Sequence, residues 1–199
     1  MPELMTSTSL TNTISASFSR LQTNWPYIFA ALSGLLMALP TIEPKLFIFS
    51  WFGLVPLIFS VRGLSFWQCY RVSTFAGLVF YLCGSYWVLP FIINMKGYGI
   101  VLATLISLLY WVYCAHALVL VMLCWKAIIR RVVWERLILF PLLLVATYSV
   151  FPSVIPVQFG IGQSHNLLAV QAADILGIYG LDFALALSNI CIYELLRRR

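Results

Sequence analysis

Residues 100–125 read IVLATLISLLYWVYCAHALVLVMLCW, an apolar block without Asp, Glu, Lys or Arg. A helix needs about 20 apolar residues to cross the hydrocarbon core of a bilayer, so this block predicts a transmembrane helix. The whole chain of 199 residues has the same character: 62% of it is hydrophobic, 9% is charged, and the mean hydropathy is +0.97. Soluble domains are about 45–50% apolar and about 25% charged. The composition therefore indicates a multi-pass membrane protein.

Five further apolar blocks flank this one, separated by short polar loops. Only helices and closed barrels satisfy their backbone groups in lipid, and no ten-residue alternation typical of a barrel is present. We therefore predict an all-α bundle of about six transmembrane helices, of which the second and fifth are short. The predicted spans are Trp25–Ile42, Leu46–Val61, Val72–Asn94, Ile100–Trp125, Leu137–Phe151 and Ala169–Tyr193.

The basic residues alternate between the loops. With the N-terminus inside, ten fall on the cytoplasmic side and only Lys45 and Lys96 fall outside, as the preference of Lys and Arg for the cytoplasm predicts. The ten are Arg20, Arg62, Arg71, Lys126, Arg130, Arg131, Arg136, Arg197, Arg198 and Arg199. Both termini are thus predicted to be cytoplasmic. The net charge of +6 favours contact with anionic lipid headgroups, and nucleic acid is not an expected partner because no basic soluble face is present.

Residues 1–24 are rich in Ser and Thr and predict a flexible lead, followed by a transmembrane domain over residues 25–199. The five cysteines have no CxxC spacing and are predicted to be buried apolar residues. Catalytic motifs such as GxSxG, HExxH or a phosphate loop do not occur in the sequence. We therefore predict no metal, no cofactor and no catalytic residue within these 199 residues.

The polar residues near the last helix are the clearest functional candidates, because ionisable groups at membrane depth are costly. Asp182 is expected to face the bundle interior and to meet a donor on Tyr148, Ser149 or Asn189. Gly177 and Gly180 are expected to let a neighbouring helix approach this face. Asp174 also suits a helix N-terminus, where a carboxylate faces the positive end of the helix dipole. The preceding loop, residues 152–168, is apolar and predicted either to pack over the bundle mouth or to be a plain Pro/Gly connector.

Several motifs occur in the order of one known family. The first hairpin carries Pro40, Trp51 and Pro56, and the third block carries the stretch GSYW (residues 84–87), followed by Tyr98–Gly99. The closing segment, residues 151–189, reads FPSVIPVQFGIGQSHNLLAVQAADILGIYGLDFALALSN. Together these motifs resemble the N-terminal membrane region of apolipoprotein N-acyltransferase. The chain departs from that family at Val157, where an aromatic is common, and at residues 147–149, which replace a Glu/Arg pair.

The resemblance implies a reaction and a set of partners. The family transfers a fatty acyl group from phospholipid to the N-terminal diacylglyceryl-cysteine of lipoproteins in the bacterial inner membrane. Its Glu–Lys–Cys triad lies in a nitrilase-like domain whose place would be beyond Arg199. The resemblance therefore implies a truncated or split enzyme that is not catalytic alone, with phospholipid, a lipoprotein or a separate nitrilase-like polypeptide as partners. The alternatives are a stand-alone lipid-binding or scaffold protein and, least favoured, a small transporter.

In the resembled family, acyl chains enter at the outer mouth of the bundle. The corresponding residues of this chain are expected to form a lipid-facing mouth, while Asp182, Gly177 and Gly180 hold the helices together behind it. The expected mouth residues are Trp87, Tyr98, Phe159, Gln163, Gln171 and Asp174.

Overall fold

The computed structural model describes residues 24–128, 133–153, 155 and 158–198, all of them in helices or in connections between helices. The elements are α1 (Asn24–Ile42), the 3-10 helix η1 (Pro44–Trp51), α2 (Val55–Ser60), α3 (Phe66–Gly84), α4 (Val88–Lys96), α5 (Ile100–Ile128), α6 (Val133–Val150), the 3-10 helix η2 (Phe159–Gln163) and α7 (Leu167–Arg197). The predicted all-α membrane bundle is confirmed. Predictions on residues 1–23, Arg130, Arg131, Val157 and Arg199 lie outside the described residues.

Four of these helices, α1, α5, α6 and α7, are long and apolar enough to cross a membrane. They correspond to the first, fourth, fifth and sixth predicted spans. The fifth is longer than expected, because α6 begins at Val133 rather than at Leu137 and has 18 residues. The helices α3 and α4 form a fifth spanning unit if the bent pair is taken as one.

The third predicted span is bent by 57° between α3 and α4. The helix α3 starts with a capping box, in which Ser65 and Gln68 exchange side-chain and backbone hydrogen bonds. The bend lies just before Pro90. A proline has no N–H and its ring clashes with the carbonyl four residues earlier, here that of Tyr86. A straight helix through this point is therefore unfavourable, which the apolar pattern alone does not reveal.

The second predicted span, Leu46–Val61, is not one continuous helix. The 3-10 helix η1 ends at Trp51, and α2 resumes at Val55 with Pro56 in its first turn. Because Pro56 has no N–H and cannot donate to the carbonyl of Phe52, a regular helix does not run through this point, and Pro56 falls in the first turn of α2. Only four or five helices of the described residues thus meet the length of a span, against about six predicted.

The broken segment nevertheless runs the length of the bundle. Near its start, the carbonyl of Phe47 accepts from the side chain of Gln163. Near its end, the Phe59 ring packs edge-on against Tyr193, with ring centroids 4.7 Å apart. The carbonyl of Leu64 then accepts from the Lys126 ammonium at the far end of α5. The second block therefore crosses the bundle as a broken rather than a straight segment.

Close helix pairs form the core. Gly77 of α3 lies against α5 so tightly that an added Cβ would sit 2.9 Å from the Cβ of Ala115. At the other side, α6 packs along α7. The indole of Trp125, on α5, lies edge-on to Phe140 of α6 and Tyr193 of α7, at centroid distances of 5.0 and 6.3 Å. Small residues thus let α3 and α5 approach closely, and aromatic rings fill the space between α5, α6 and α7.

The last helix is broken at Gly177, whose φ of 70° and ψ of 173° are not helical. Such a conformation is essentially restricted to glycine. The prediction that Gly177 allows close helix packing is wrong, because an added Cβ there would meet nothing within 4 Å. Gly180 has a packing role, but within the same helix: the break brings the Leu176 side chain against it. The break also separates the surroundings of Asp174, which is exposed, from those of Asp182, which is fully buried.

Candidate functional site

The loop between α6 and α7 turns back into the bundle. The ring of Phe159 is buried, stacked parallel to Phe80 at 6.0 Å and edge-on to Tyr148 at 5.3 Å. Next to it, the Gly160 amide donates to Oδ1 of Asp182 over 2.6 Å. A side chain at Gly160 would collide with Ile178, since an added Cβ would lie 2.6 Å from its Cδ1. The loop is therefore anchored inside the protein, as predicted for an apolar loop that packs over the bundle mouth.

Asp182 is buried as predicted, with 0% exposure, but its donor is the backbone of the loop. None of the three predicted donors bonds to Asp182. Ser149 donates to the Val145 carbonyl of its own helix, and Asn189 bonds to backbone groups around residue 54. The Tyr148 hydroxyl is buried and does not bond to Asp182. The sequence could not predict the donor, because a backbone amide has no residue-specific signature.

Gln163 is also buried, with 1% exposure, rather than facing lipid. Its side-chain oxygen accepts from Nε1 of Trp51 at 3.2 Å and from Nδ2 of Asn166 at 3.1 Å. Its amide nitrogen donates to the Phe47 carbonyl at 2.7 Å. The bonds to Trp51 and Phe47 tie η2 to η1, and the bond from Asn166 joins η2 to the start of α7. The amide of Gln163 is thus committed to the protein and not free for a headgroup ester.

The polar side chains of α7 support the broken second segment. Oδ1 of Asn189 accepts from the Leu54 amide at 2.8 Å, and its Nδ2 donates to the Ser50 carbonyl at 2.9 Å. The Ser188 hydroxyl donates to the Trp51 carbonyl at 2.9 Å. Non-helical backbone at membrane depth is tolerated only where other groups satisfy it. These side chains supply the bonds that η1 and α2 cannot make to each other.

A cavity of about 200 Å³ lies where the loop meets the first and third spans. Its walls come from the turn between α1 and η1, from the bend between α3 and α4, and from the loop before α7. We call it the mouth cavity; its lining residues are Pro40, Thr41, Pro44, Gly84, Ser85, Trp87, Ile155, Ile161 and Ser164. The lining combines apolar surface with three hydroxyl groups, so it suits a ligand with an apolar chain and a polar head.

The rim of this cavity is accessible. Trp87 is 38% exposed and Ile161 is 46% exposed, and Ser164 is exposed beside them. Deeper in, the Ser85 carbonyl accepts from Nε1 of Trp111, and the Thr41 hydroxyl donates to the Ala38 carbonyl of its own helix. The rim is open and the floor is fixed by hydrogen bonds.

The six predicted mouth residues do not form one site. Trp87 lines the mouth cavity, whereas Phe159 and Gln163 are buried beneath the loop. The remaining three are exposed outside the cavity lining: Tyr98, Gln171 and Asp174. Most other lining residues stand in the quoted motifs, but nothing in the sequence singled out the hydroxyl groups of Thr41, Ser85 and Ser164. They come together because the turn after α1, the bend between α3 and α4 and the loop before α7 meet at this end.

The described part of the chain contains no group of three or more His, Cys, Asp or Glu residues arranged to hold a metal. Its five cysteines are free, and only Cys69 and Cys114 are buried as predicted, since Cys124 is exposed. The Cys69 thiol contacts the Ser73 hydroxyl and the Met122 carbonyl. His116 pairs with the Tyr70 hydroxyl at 3.0 Å. These contacts account for both residues within the bundle.

Comparison with known proteins identifies the family. A family model described as the apolipoprotein N-acyltransferase N-terminal domain matches residues 33–191. Among curated proteins, the apolipoprotein N-acyltransferase of Geobacter metallireducens is 29% identical over 182 residues, which is 86% of this chain and 33% of that protein. The chain therefore spans about a third of the length of this relative. No solved structure matches the chain significantly. This chain belongs to the family of the apolipoprotein N-acyltransferase N-terminal domain.

Proposed function

We propose that this bundle is the membrane domain of an N-acyltransferase system and that it binds a phospholipid at the mouth cavity. The family match over residues 33–191 supports an acyltransferase context. The observation that carries the proposal is the cavity itself, which joins apolar walls to an accessible polar rim. A phospholipid has the same division between its acyl chains and its ester and headgroup region.

The lining suits each part of such a lipid. Ile155, Ile161 and Pro40 provide apolar contact for an acyl chain, and each buried methylene contributes about 0.8 kcal/mol. The Ser164 hydroxyl lies at the exposed side, where it can donate to an ester or phosphate oxygen. Trp87 at the rim is suited to the membrane interface, because indole is apolar with one N–H donor. No catalytic group is needed for this binding.

We further propose that the bound lipid is the acyl donor for a lipoprotein N-terminus and that the protein resides in the bacterial inner membrane. In this proposal the reacting thiolate comes from a nitrilase-like domain, on this or on a separate polypeptide. The surroundings of Cys69 support that assignment: its thiol contacts a hydroxyl and a carbonyl, neither of which is a general base suited to activating a thiol. The bundle would hold the lipid while that domain performs the chemistry.

Photo-crosslinking tests lipid binding at the mouth cavity. A photoreactive amino acid at the exposed position of Ile161 should capture phospholipid from membranes. The same probe at Phe159 should capture protein segments only, because that ring is enclosed by Phe80 and Tyr148. Capture of protein alone from position 161 would contradict the proposal.

A cavity-filling variant separates a specific site from bulk lipid. Ser164→Trp places an indole in the mouth cavity and should reduce capture of lipid from position 161. His165→Trp is the matched control, because His165 is exposed next to Ser164 but does not line the cavity. Equal capture in the two variants would show that position 161 contacts only the surrounding bilayer.

An acylation assay tests the division of labour. The purified chain, supplied with phospholipid and a diacylated lipopeptide, should not acylate the peptide. Addition of a nitrilase-like polypeptide should restore turnover if the chain serves an acyltransferase, and should not if the chain is a stand-alone lipid-binding protein. Turnover by the chain alone that disappears on replacing one cysteine by alanine would overturn the assignment of the thiolate.

A further inference from the structure

A second groove lies at the opposite end of the bundle, between α6 and α7. It has a volume of about 280 Å³, and its apolar wall consists of Val133, Trp134 and Leu137 of α6 and Leu195 of α7. Trp134 is 78% exposed and Leu195 is 66% exposed, so the groove opens sideways from the helix pair. Arg198 lies at its end and is exposed. We call this the arginine-end groove.

The charge around this groove is positive, although Glu194 also lines it. Both carboxylate oxygens of Glu194 are taken up by Arg136, through Nε at 2.7 Å and Nη2 at 3.0 Å. A second guanidinium, that of Arg197, lies 3.7 Å from the same carboxylate. This bidentate pair neutralises Glu194. The positive charge of Arg198 therefore remains for a ligand.

The groove combines an apolar wall with an adjacent basic side chain. The lining runs from Val133, Trp134 and Leu137 to the guanidinium of Arg198. Glu135 of α6 is exposed but does not line the groove. An acyl chain along Leu137 and Leu195 would bring a phosphate within reach of Arg198.

We infer that the arginine-end groove binds an anionic glycerophospholipid of the leaflet next to Arg198. One acyl chain lies between α6 and α7, and the headgroup phosphate pairs with the Arg198 guanidinium. Guanidinium groups bind phosphate through paired hydrogen bonds, which favours arginine for this role. This site is separate from the mouth cavity and does not depend on acyl transfer, so failure of one proposal leaves the other testable.

Lipid titration of the purified full chain, followed by native mass spectrometry, tests the inference. Phosphatidylglycerol should bind more tightly than phosphatidylcholine of the same acyl chains. Arg198→Gln should lower the affinity for phosphatidylglycerol about fivefold, since one basic residue near a membrane surface contributes about 1 kcal/mol. Arg71→Gln is the matched control, because Arg71 is exposed and loses the same charge on α3. Equal affinities in these two variants would overturn the site.

A second variant tests the apolar part. Leu195→Trp fills the groove and should lower phosphatidylglycerol binding, whereas Leu105→Trp, at a residue 60% exposed on α5, should not. Both positions are exposed, so unfolding temperatures should stay close to that of the unchanged protein. Inorganic phosphate at the same concentration should not displace the lipid. Displacement by phosphate, or an unaffected Leu195→Trp variant, would show that no acyl chain occupies the groove.

Discussion

At the residue scale, the role of Asp182 follows from one hydrogen bond to the loop between α6 and α7. Its Oδ1 accepts from the Gly160 amide, and neither group is exposed to solvent. A buried donor that loses its acceptor costs about 1–3 kcal/mol. Asp182 is therefore an anchor for the loop that forms one wall of the mouth cavity, and it lies too deep to meet a ligand at the rim.

Replacing Asp182 should thus depend on whether an acceptor remains. Asp182→Leu leaves the Gly160 amide unpaired and should lower the free energy of unfolding by about 1–3 kcal/mol. Asp182→Asn keeps an oxygen for that amide and should cost less. Denaturant titration in micelles measures both, with Asp174→Leu as a control at an exposed carboxylate. Equal losses for Asp182→Leu and Asp182→Asn would rule out the acceptor role.

Gly177 acts through its backbone rather than its packing. Its φ of 70° and ψ of 173° strain any residue with a Cβ, at a cost of about 1–3 kcal/mol. We expect Gly177→Ala to lower the free energy of unfolding by that amount, although the position is open. Gly99→Ala is the matched control, because Gly99 also has open space but lacks the left-handed φ. A harmless Gly177→Ala would mean that α7 tolerates a straight course.

At the element scale, the second span depends on α7. Pro56 prevents a regular helix, and Asn189 bonds both to the amide of Leu54 and to the carbonyl of Ser50. Two elements that cannot be stable separately in lipid thus complete each other. The bonds of Gln163 to Trp51 and Phe47 then hold η1 close to η2, beside the mouth cavity.

Removing the Asn189 amide should loosen this segment selectively. Asn189→Leu leaves a buried amide and a buried carbonyl unpaired, so the free energy of unfolding should fall by at least about 1–3 kcal/mol. Hydrogen exchange should become faster at Leu54 and its neighbours than in α5. Ser149→Ala serves as the control, since that hydroxyl bonds only to the Val145 carbonyl of its own helix. Unchanged exchange around Leu54 would contradict the supporting role.

At the scale of the whole molecule, two ends of the bundle differ in chemistry. One end carries the mouth cavity, formed by the turn after α1, the bend between α3 and α4 and the loop before α7. The other carries Lys126 bonded to Leu64, the buried Arg136–Glu194 pair and the arginine-end groove. Basic residues gather at the second end, as the charge alternation along the sequence predicts for the cytoplasmic side.

Reporter fusions can test this topology. If the broken segment Pro44–Ser60 crosses the membrane, reporters at Glu43 and at Gly63 should lie on opposite sides. Reporters at Lys96 and at Arg198 should also lie on opposite sides, because three helices separate them. Glu43 and Gly63 on the same side would show that the second block does not cross, and would place the two termini on opposite sides.

The sequence by itself determined that the chain folds in lipid and that its fold is all-α. An uninterrupted apolar stretch such as residues 100–125 predicts a helix in lipid regardless of neighbouring segments, because a helix satisfies its own backbone hydrogen bonds. The same local reasoning located α1, α5 and α7 to within a few residues. The ordered motifs of the closing segment pointed to the family that residues 33–191 match.

Only the tertiary structure decided where helices break and which groups meet there. The donor to Asp182 is a loop amide, two of the three partners of Gln163 lie more than a hundred residues earlier, and Gly177 serves conformation instead of packing. The mouth cavity likewise joins Thr41, Ser85 and Ser164 from three distant turns. Apolar periodicity records which residues prefer lipid, but pairing among buried polar groups depends on distances that the linear sequence does not contain.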